Sequence, residues 1–357
     1  TAANDFIGNI ILNPSASLQI IEPGGPLDHF YNEAIPDGSS ITFNSGSSFR
    51  ISPGGANDYE TVGTLISAAA GAGSVYLDNG SSVSGVAFAL TIGADNRTGE
   101  YSGVITNISI CPLGITKTGT GTQTLSGVNT YTGATTISNG TLTVNGSLAA
   151  NTNPLTVQSA GTLAGLGTIG CAIAVNGTFA PGTNNAGTLT CGSDLTLNAG
   201  STSTFGVNGS TLANSSVVVG GTATYGGTLN ILPTGTFSAG QTFTLFSGAG
   251  AAGASSFANI TGSPGAGLSF TFANGVLSVV NGSVTPVALT SSLSGNTLTL
   301  TWPAGQGWRL VGQTNQLSAG LNPDPAAWSP VSGVSDGSAT ITINATNPTV
   351  FYRLVNP

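Results

Sequence analysis

The sequence predicts an all-β protein whose central part is a solenoid of short, stacked strands. Apolar and hydroxyl residues alternate in runs such as Thr122–Leu125 and Thr141–Val144, and a period of two is typical of β-strands. Between Gly127 and Gly146 a glycine interrupts the pattern every six or seven residues, where turns need one. The tripeptide Gly-Thr-Leu recurs, as expected of irregular solenoid repeats, beginning at Gly63, Gly140, Gly161, Gly187 and Gly227.

One part of this pattern is similar to a known family. Residues 90–149 resemble the passenger-associated repeat of bacterial autotransporters and of large secreted proteins from other Gram-negative phyla. Ile115–Gly133 (ITKTGTGTQTLSGVNTYTG) and Gly140–Val144 (GTLTV) carry the resemblance nearly residue for residue. The resemblance implies a right-handed parallel β-helix that is exported from the cell. It implies no reaction, because such repeats form stalks beneath many different functional parts.

An antiparallel sandwich or barrel is the competing architecture. Asn-Gly pairs are strong hairpin signals, but solenoid corners need the same left-handed conformation, so the pairs do not discriminate. They begin at Asn79, Asn139, Asn145, Asn176, Asn208, Asn274 and Asn281. The family resemblance favours the β-helix. With about 20–25 residues per coil and a rise of about 4.8 Å, residues 38–285 would form on the order of ten coils and a rod of about 50 Å.

The first of three predicted parts, residues 1–37, precedes this β-helix and begins with an apolar run. A β-helix exposes unpaired strand edges at its ends, and these edges must be capped or used. The segment is therefore either a cap or a strand lent to a neighbouring subunit. The candidate assembly residues are Phe6, Ile7, Ile10, Ile11 and Leu12.

The last predicted part, residues 286–357, differs in composition from the β-helix. It contains all three tryptophans and at least four strand-like runs, including Val350–Val355. Large aromatic residues in a short all-β segment predict a small sandwich with its own core. The segment weakly resembles the fibronectin-like and immunoglobulin-like modules of secreted bacterial proteins. Exposed rings would stack on sugars, so the candidate glycan-facing residues are Trp302, Trp308 and Trp328.

Composition restricts the partners and the location of the protein. Only 5% of the residues are charged, and the net charge of −8 lies within residues 1–100. Nucleic acid and anionic membranes are disfavoured as partners because no basic residues cluster. A membrane-spanning helix is not expected, since no apolar run reaches about 18 residues. The chain lacks methionine, so we expect Thr1 to follow a removed signal peptide, with the protein outside a Gram-negative-type bacterium or on its surface.

Catalysis is not expected. Lys117 and Asp194 are the only charged residues between positions 101 and 308, whereas acid–base catalysis in polysaccharide-cleaving β-helices needs paired carboxylates or a bound cation. No residues are predicted to bind a cofactor or a metal ion. Cys171 and Cys191 are 20 residues apart, about one coil, so stacked neighbours could reach disulfide distance. Two buried free thiols are an equally good interpretation.

These observations favour a non-enzymatic extracellular structural protein, a β-helical rod that joins copies of itself head to tail in a filament or matrix. A head-to-tail contact that does not close on itself produces a fibre. The alternative is an adhesin or carbohydrate-binding stalk, with the aromatic C-terminal module as its binding end and surface glycans as its partners.

Overall fold

The computed structural model describes residues 8–21, 35–52, 59–77, 88–108, 112–182, 186–253, 255–282, 288–303, 308–315, 318, 320–335, 337–344 and 349–355. Two compact units contain these residues. Unit 1 lies within residues 1–235, 242–262 and 271–278, and unit 2 within residues 236–241, 263–270 and 279–357.

Short strands make up most of the regular structure. In chain order they begin with β1 (Ile10–Leu12), β2 (Ser17–Ile21), β3 (Ile41–Phe43), β4 (Ser48–Ser52), β5 (Tyr59–Thr61), β6 (Leu65–Ser67), β7 (Ser74–Leu77), β8 (Phe88–Ile92), β9 (Gly99–Tyr101), β10 (Val104–Asn107), β11 (Leu113–Lys117), β12 (Thr122–Leu125) and β13 (Val128–Asn129). They continue with β14 (Thr135–Val144), β15 (Ser147–Leu148), β16 (Leu155–Gly165), β17 (Thr168–Ile169), β18 (Ile173–Val175), β19 (Thr178–Pro181), β20 (Thr188–Cys191), β21 (Leu195–Leu197), β22 (Thr202–Asn208), β23 (Ala213–Asn214), β24 (Ser216–Val219), β25 (Ala223–Thr224) and β26 (Thr228–Thr234).

The remaining strands are β27 (Thr242–Thr244), β28 (Phe246–Ser247), β29 (Asn259–Thr261), β30 (Leu268–Ala273), β31 (Val276–Asn281), β32 (Thr290–Ser294), β33 (Thr297–Thr301), β34 (Arg309–Thr314), β35 (Ser329–Pro330), β36 (Val334–Ser335), β37 (Ser338–Thr342) and β38 (Val350–Val355). A short 3-10 helix covers Pro325–Ala327. Among the described residues, no helix is long and apolar enough to cross a bilayer.

Unit 1 is a parallel β-helix. Its strands form two small N-terminal sheets, β1-β3-β6 and β2-β4-β7-β10, and two larger ones, which begin at β5 and at β13. One of the larger sheets runs through β5-β8-β11-β14-β16 and beyond, and the other is β13-β15-β17-β20-β24-β28. The antiparallel sandwich is therefore wrong for this unit, although β22 pairs antiparallel with β23 and β27 with β31.

The stacking is in register from rung to rung. One outward-facing column consists of hydroxyl residues except for a single alanine, in the order Thr61, Thr91, Thr116, Thr136, Thr156, Ala174, Thr196 and Thr224. Positions inside the coils alternate with this column and are mostly apolar, with Lys117 and Thr135 among the buried polar exceptions. Strand β8, for example, reads buried, half-buried, buried, half-buried, buried. The period of two therefore divides each strand between an interior side and a surface side, as the alternation in the sequence predicts.

Aromatic rings fill the interior of unit 1 near its C-terminal rungs. Tyr225 lies 4.9 Å from Phe246 and 5.2 Å from Phe257, measured between ring centroids, and Phe272 makes an edge contact with Tyr225 at 5.1 Å. The Tyr225 hydroxyl donates a hydrogen bond to the carbonyl of Ala251. These rings provide large buried apolar surface for the C-terminal rungs.

Unit 2 contains two antiparallel sheets, β32-β33-β37-β36 and β35-β34-β38. Leu300 and Ala339 come from the first sheet and Leu310 from the second, and together with Trp302 they form one buried cluster. The strand-like run at Val350–Val355 is a strand, as the sequence predicts.

Candidate interaction surfaces and the repeat segment

The segment with the recognisable repeat, residues 115–144, follows the last strands of the two N-terminal sheets and contains the first strand of the sheet that starts at β13. The sheet β1-β3-β6 ends at β6, the neighbouring sheet ends at β10, and the sheet that starts at β13 begins within this segment. A change of sheets leaves backbone groups that no neighbouring strand can satisfy, and buried backbone groups need partners.

Lys117 meets part of this need from inside the β-helix. Its side chain is fully buried, and its ammonium group donates to the carbonyl of Thr118, to that of Gly119 at 3.0 Å and to that of Asn139 at 3.4 Å. Burial lowers the pKa of Lys117 from 10.5 to about 8, and the negative charge of Asp95 opposes this shift. The chain's only lysine is therefore an interior support for three carbonyls.

Gln123 replaces a missing strand pairing in the same way. Its side-chain oxygen accepts from the backbone N–H of Leu65 at 3.0 Å, and its side-chain nitrogen donates to the carbonyl of Leu65 at 3.0 Å. Leu65 lies 58 residues earlier in the chain, on the last strand of the sheet β1-β3-β6. The amide thus presents one donor and one acceptor to that strand, as a backbone peptide group would.

Asn129 and Tyr131 complete the interior polar set. Asn129 accepts from the backbone N–H of Ile105 at 3.0 Å and donates to the carbonyls of Gly127 at 3.0 Å and Ser147 at 3.2 Å. The Tyr131 hydroxyl bonds to the side chain of Thr135 at 2.8 Å, and burial raises the pKa of that hydroxyl above its usual value. All of these polar groups are occupied by the protein itself, so their role in this structure is structural.

The first rung of unit 1 contains the predicted assembly residues that the structure describes. Ile10 is half-buried, Leu12 is buried, and the side chain of Ile11 is 60% exposed. Within the described residues, β1 pairs with β3 on one edge only, and β2 pairs with β4 on one edge only. Phe6 and Ile7 lie outside the described residues.

Cys171 and Cys191 are both buried and carry free thiols in this structure. Burial raises the pKa of Cys191 to about 12, and a negative charge on Cys171 would raise it further, so the two groups are close enough to interact. Burial also raises the pKa of Cys171. The disulfide stays a prediction.

The three tryptophans have different surroundings. Trp302 is 6% exposed and belongs to the core of unit 2, so its ring is not presented to a ligand, and Trp308 packs against the same core. Trp328 is half-buried. It donates from its indole nitrogen to the carbonyl of Asn322 at 2.9 Å, and the guanidinium of Arg353 lies 4.1 Å from the centre of its ring.

A groove that the sequence did not predict lies on the outward face of the sheet β5-β8-β11-β14. Its volume is about 420 Å³, and its lining includes Tyr59, Ala89, Gly114, Thr116, Thr136 and Asn153. The alternation of inward and outward residues would have placed most of these side chains outside. These residues are spread over 95 positions of the chain, from Tyr59 to Asn153. The register between strands brings them together, and no local sequence pattern predicts that register.

These features define the chain as a parallel β-helix protein. Its central segment is largely uncharged, and residues 115–144 contribute buried polar side chains to the interior. Residues 115–144 match the family model described as the passenger-associated-transport-repeat, which confirms the resemblance seen in the sequence. No curated protein matches the chain. A repeat of this kind implies that the protein is secreted or displayed at the cell surface.

Proposed function

We propose that this chain is a non-enzymatic structural protein that acts outside a Gram-negative-type bacterium or on its surface, after a signal peptide has been removed. Its β-helix joins copies of itself end to end in a filament or matrix. The observation that carries the proposal is the first rung. Strands β1 and β2 pair on one edge only within the described residues, and an unpaired strand edge is a template for strands of another chain.

The side chains of the first rung support the same proposal. Ile11 is a large apolar residue with 60% of its surface exposed, on the first strand of a sheet. The neighbouring strand β2 contributes an exposed Ser17 and a half-buried Leu18. An exposed apolar side chain beside open backbone groups suits a contact in which main-chain hydrogen bonds supply affinity and side chains supply register.

The position of the charged groups supports a structural role over an enzymatic one. Lys117, the one basic residue between positions 101 and 308, is enclosed by carbonyl groups and is not available to a substrate. Asp194, the one acid in that range, accepts a hydrogen bond at 2.7 Å from the backbone N–H of Thr222 in the next rung.

The alternative, an adhesin whose C-terminal module binds glycans, receives less support. We interpret the two sheets of unit 2 as a small β-sandwich around the buried cluster that includes Leu300 and Leu310. Trp302 is used in that core, and Trp328 has one ring face occupied by Arg353. A sugar site would then depend on Trp308 and on the face of Trp328 opposite Arg353.

Electron microscopy and light scattering of two matched variants test the proposal. Ile11→Asp places a charge at the first rung, and Val128→Asp places the same charge at a residue with similar exposure, 63%, on the side of the β-helix. We expect the wild type and Val128→Asp to form filaments and Ile11→Asp to remain monomeric with an unchanged circular dichroism spectrum. A monomeric wild type, or filaments of Ile11→Asp, would refute the proposal.

A further inference from the structure

The outward groove on unit 1 arises from residue size in one register column. Tyr59, Ala89 and Gly114 lie side by side on successive strands, so a large aromatic side chain is followed by a methyl group and then by none. Two residues further along the same strands, and on the same outward side, a second column consists of Thr91, Thr116 and Thr136. The result is a depression with an aromatic wall at Tyr59, a floor at Ala89 and Gly114, and the hydroxyl groups of Thr116 and Thr136 in its lining.

The polar groups of the groove are available to a ligand. Among the described residues, the hydroxyls of Tyr59, Thr116 and Thr136 and the side-chain oxygen of Asn153 have no hydrogen-bond partner. Surface hydroxyls elsewhere pair across strands, for example Thr188 with Ser216 at 2.8 Å. Asn153 is held in place because its side-chain nitrogen donates to the carbonyl of Thr132 at 3.0 Å, which directs its oxygen away from that bond.

The chemistry of the lining selects the class of ligand. The described lining residues carry no formal charge, so neither an anion nor a cation would find a counter-charge there. Its volume of about 420 Å³ lies within the range of small-molecule sites, about 300–1,000 Å³. An aromatic ring beside several hydroxyl and amide groups matches a sugar, which has an apolar C–H face and a polar edge.

We propose that this groove is a binding site for a neutral saccharide of one or two sugar units, with Tyr59 stacking on the ring and Thr116, Thr136 and Asn153 bonding to its hydroxyls. The site is separate from the C-terminal tryptophans, and it does not depend on end-to-end assembly. It would let the side of a structural β-helix hold a surface polysaccharide.

Isothermal titration calorimetry of the full chain tests the proposal with cellotetraose, chitotetraose and maltotetraose, and with tetragalacturonate as an anionic comparison. We expect one neutral oligosaccharide to bind with a Kd on the order of 1 mM or tighter. Tyr59→Ala should weaken binding at least about tenfold, the loss expected when an aromatic contact worth about 1.4 kcal/mol is removed.

Two further variants separate the groove from the rest of the surface. Ala134 is an exposed lining residue, so Ala134→Trp should fill the groove and abolish binding, whereas Thr168→Trp, at an exposed position on another sheet, should leave the Kd unchanged. Ile11→Asp should bind the sugar as the wild type does, whether or not it assembles. Failure of every neutral sugar at about 10 mM, preference for tetragalacturonate, or binding unaffected by Ala134→Trp would overturn the proposal.

Discussion

The buried ammonium group of Lys117 makes a quantitative prediction about the pH dependence of stability. Its pKa is about 8 in the folded chain and 10.5 when the group is solvated, so the folded state binds fewer protons than the unfolded state between these values. Stability therefore rises with pH across this window. The 2.5-unit difference corresponds to about 3 kcal/mol in total, of which about 2 kcal/mol would be regained between pH 7 and about 9.5.

Other buried groups act in the opposite direction over part of this range. Burial raises the pKa of Cys191 to about 12 and that of Tyr131 above its usual value, so the unfolded chain loses these protons first and stability falls above about pH 9. The wild type and Lys117→Met share these groups. The difference between their urea midpoints as a function of pH therefore isolates the lysine.

A direct assay is available because Lys117 is the only lysine in the sequence. Labelling with ¹³C-lysine gives a single ε-carbon resonance, and its chemical shift should titrate with a midpoint near pH 8. Lys117→Met, which keeps the apolar stem, should lose the resonance and the rise in stability. A midpoint near 10.5, or equal pH slopes in wild type and variant, would refute the inference that this ammonium is buried.

Three further perturbations test the interior of unit 1. Gln123→Leu leaves a buried N–H and a buried carbonyl without partners and should cost about 2–4 kcal/mol by urea unfolding, while Gln158→Leu at an exposed position should be near neutral. Gly127→Ala would place a methyl carbon 1.8 Å from a backbone oxygen and should cost about 3 kcal/mol or more, whereas Gly200→Ala, whose closest approach is 3.9 Å, should change the melting temperature little. The Cys191 thiol, buried and with its pKa raised, should react with iodoacetamide much more slowly in the native protein than in urea, and equal rates would contradict the burial.

The local alternation of residues is sufficient to predict the strands. The family resemblance is sufficient to predict that they stack in parallel. Thr122–Leu125 is a strand as predicted, and its alternation places Leu125 inside. The Asn-Gly pairs do not discriminate between hairpin turns and solenoid corners, and the structure contains more than one environment for them. Asn139–Gly140 lies within one strand at a shift in register, whereas Asn274–Gly275 forms the turn between β30 and β31.

The candidate sites were less accessible from the sequence. A lone lysine among threonines is expected on the surface. Lys117 is instead inside, because its own rung, at Thr118 and Gly119, and the next rung, at Asn139, offer carbonyls to its ammonium group. Trp302 was predicted to face glycans, but it lies in the core of unit 2. Within residues 1–37, Ile11 is the exposed member of the described assembly residues, and Phe6 and Ile7 lie outside the described part of the chain.

The sequence by itself determined that this protein is built from short alternating strands with a turn every few residues, because side-chain direction along a strand depends only on neighbouring residues. Tertiary structure alone decided which residues from different rungs share a column. Tyr59, Ala89 and Gly114 form one wall and floor only because stacking brings together positions 30 and 25 residues apart. That register also produces the interior hydrogen bonds of Lys117 and Gln123 and the groove on the outside. No pattern of neighbouring residues predicts them.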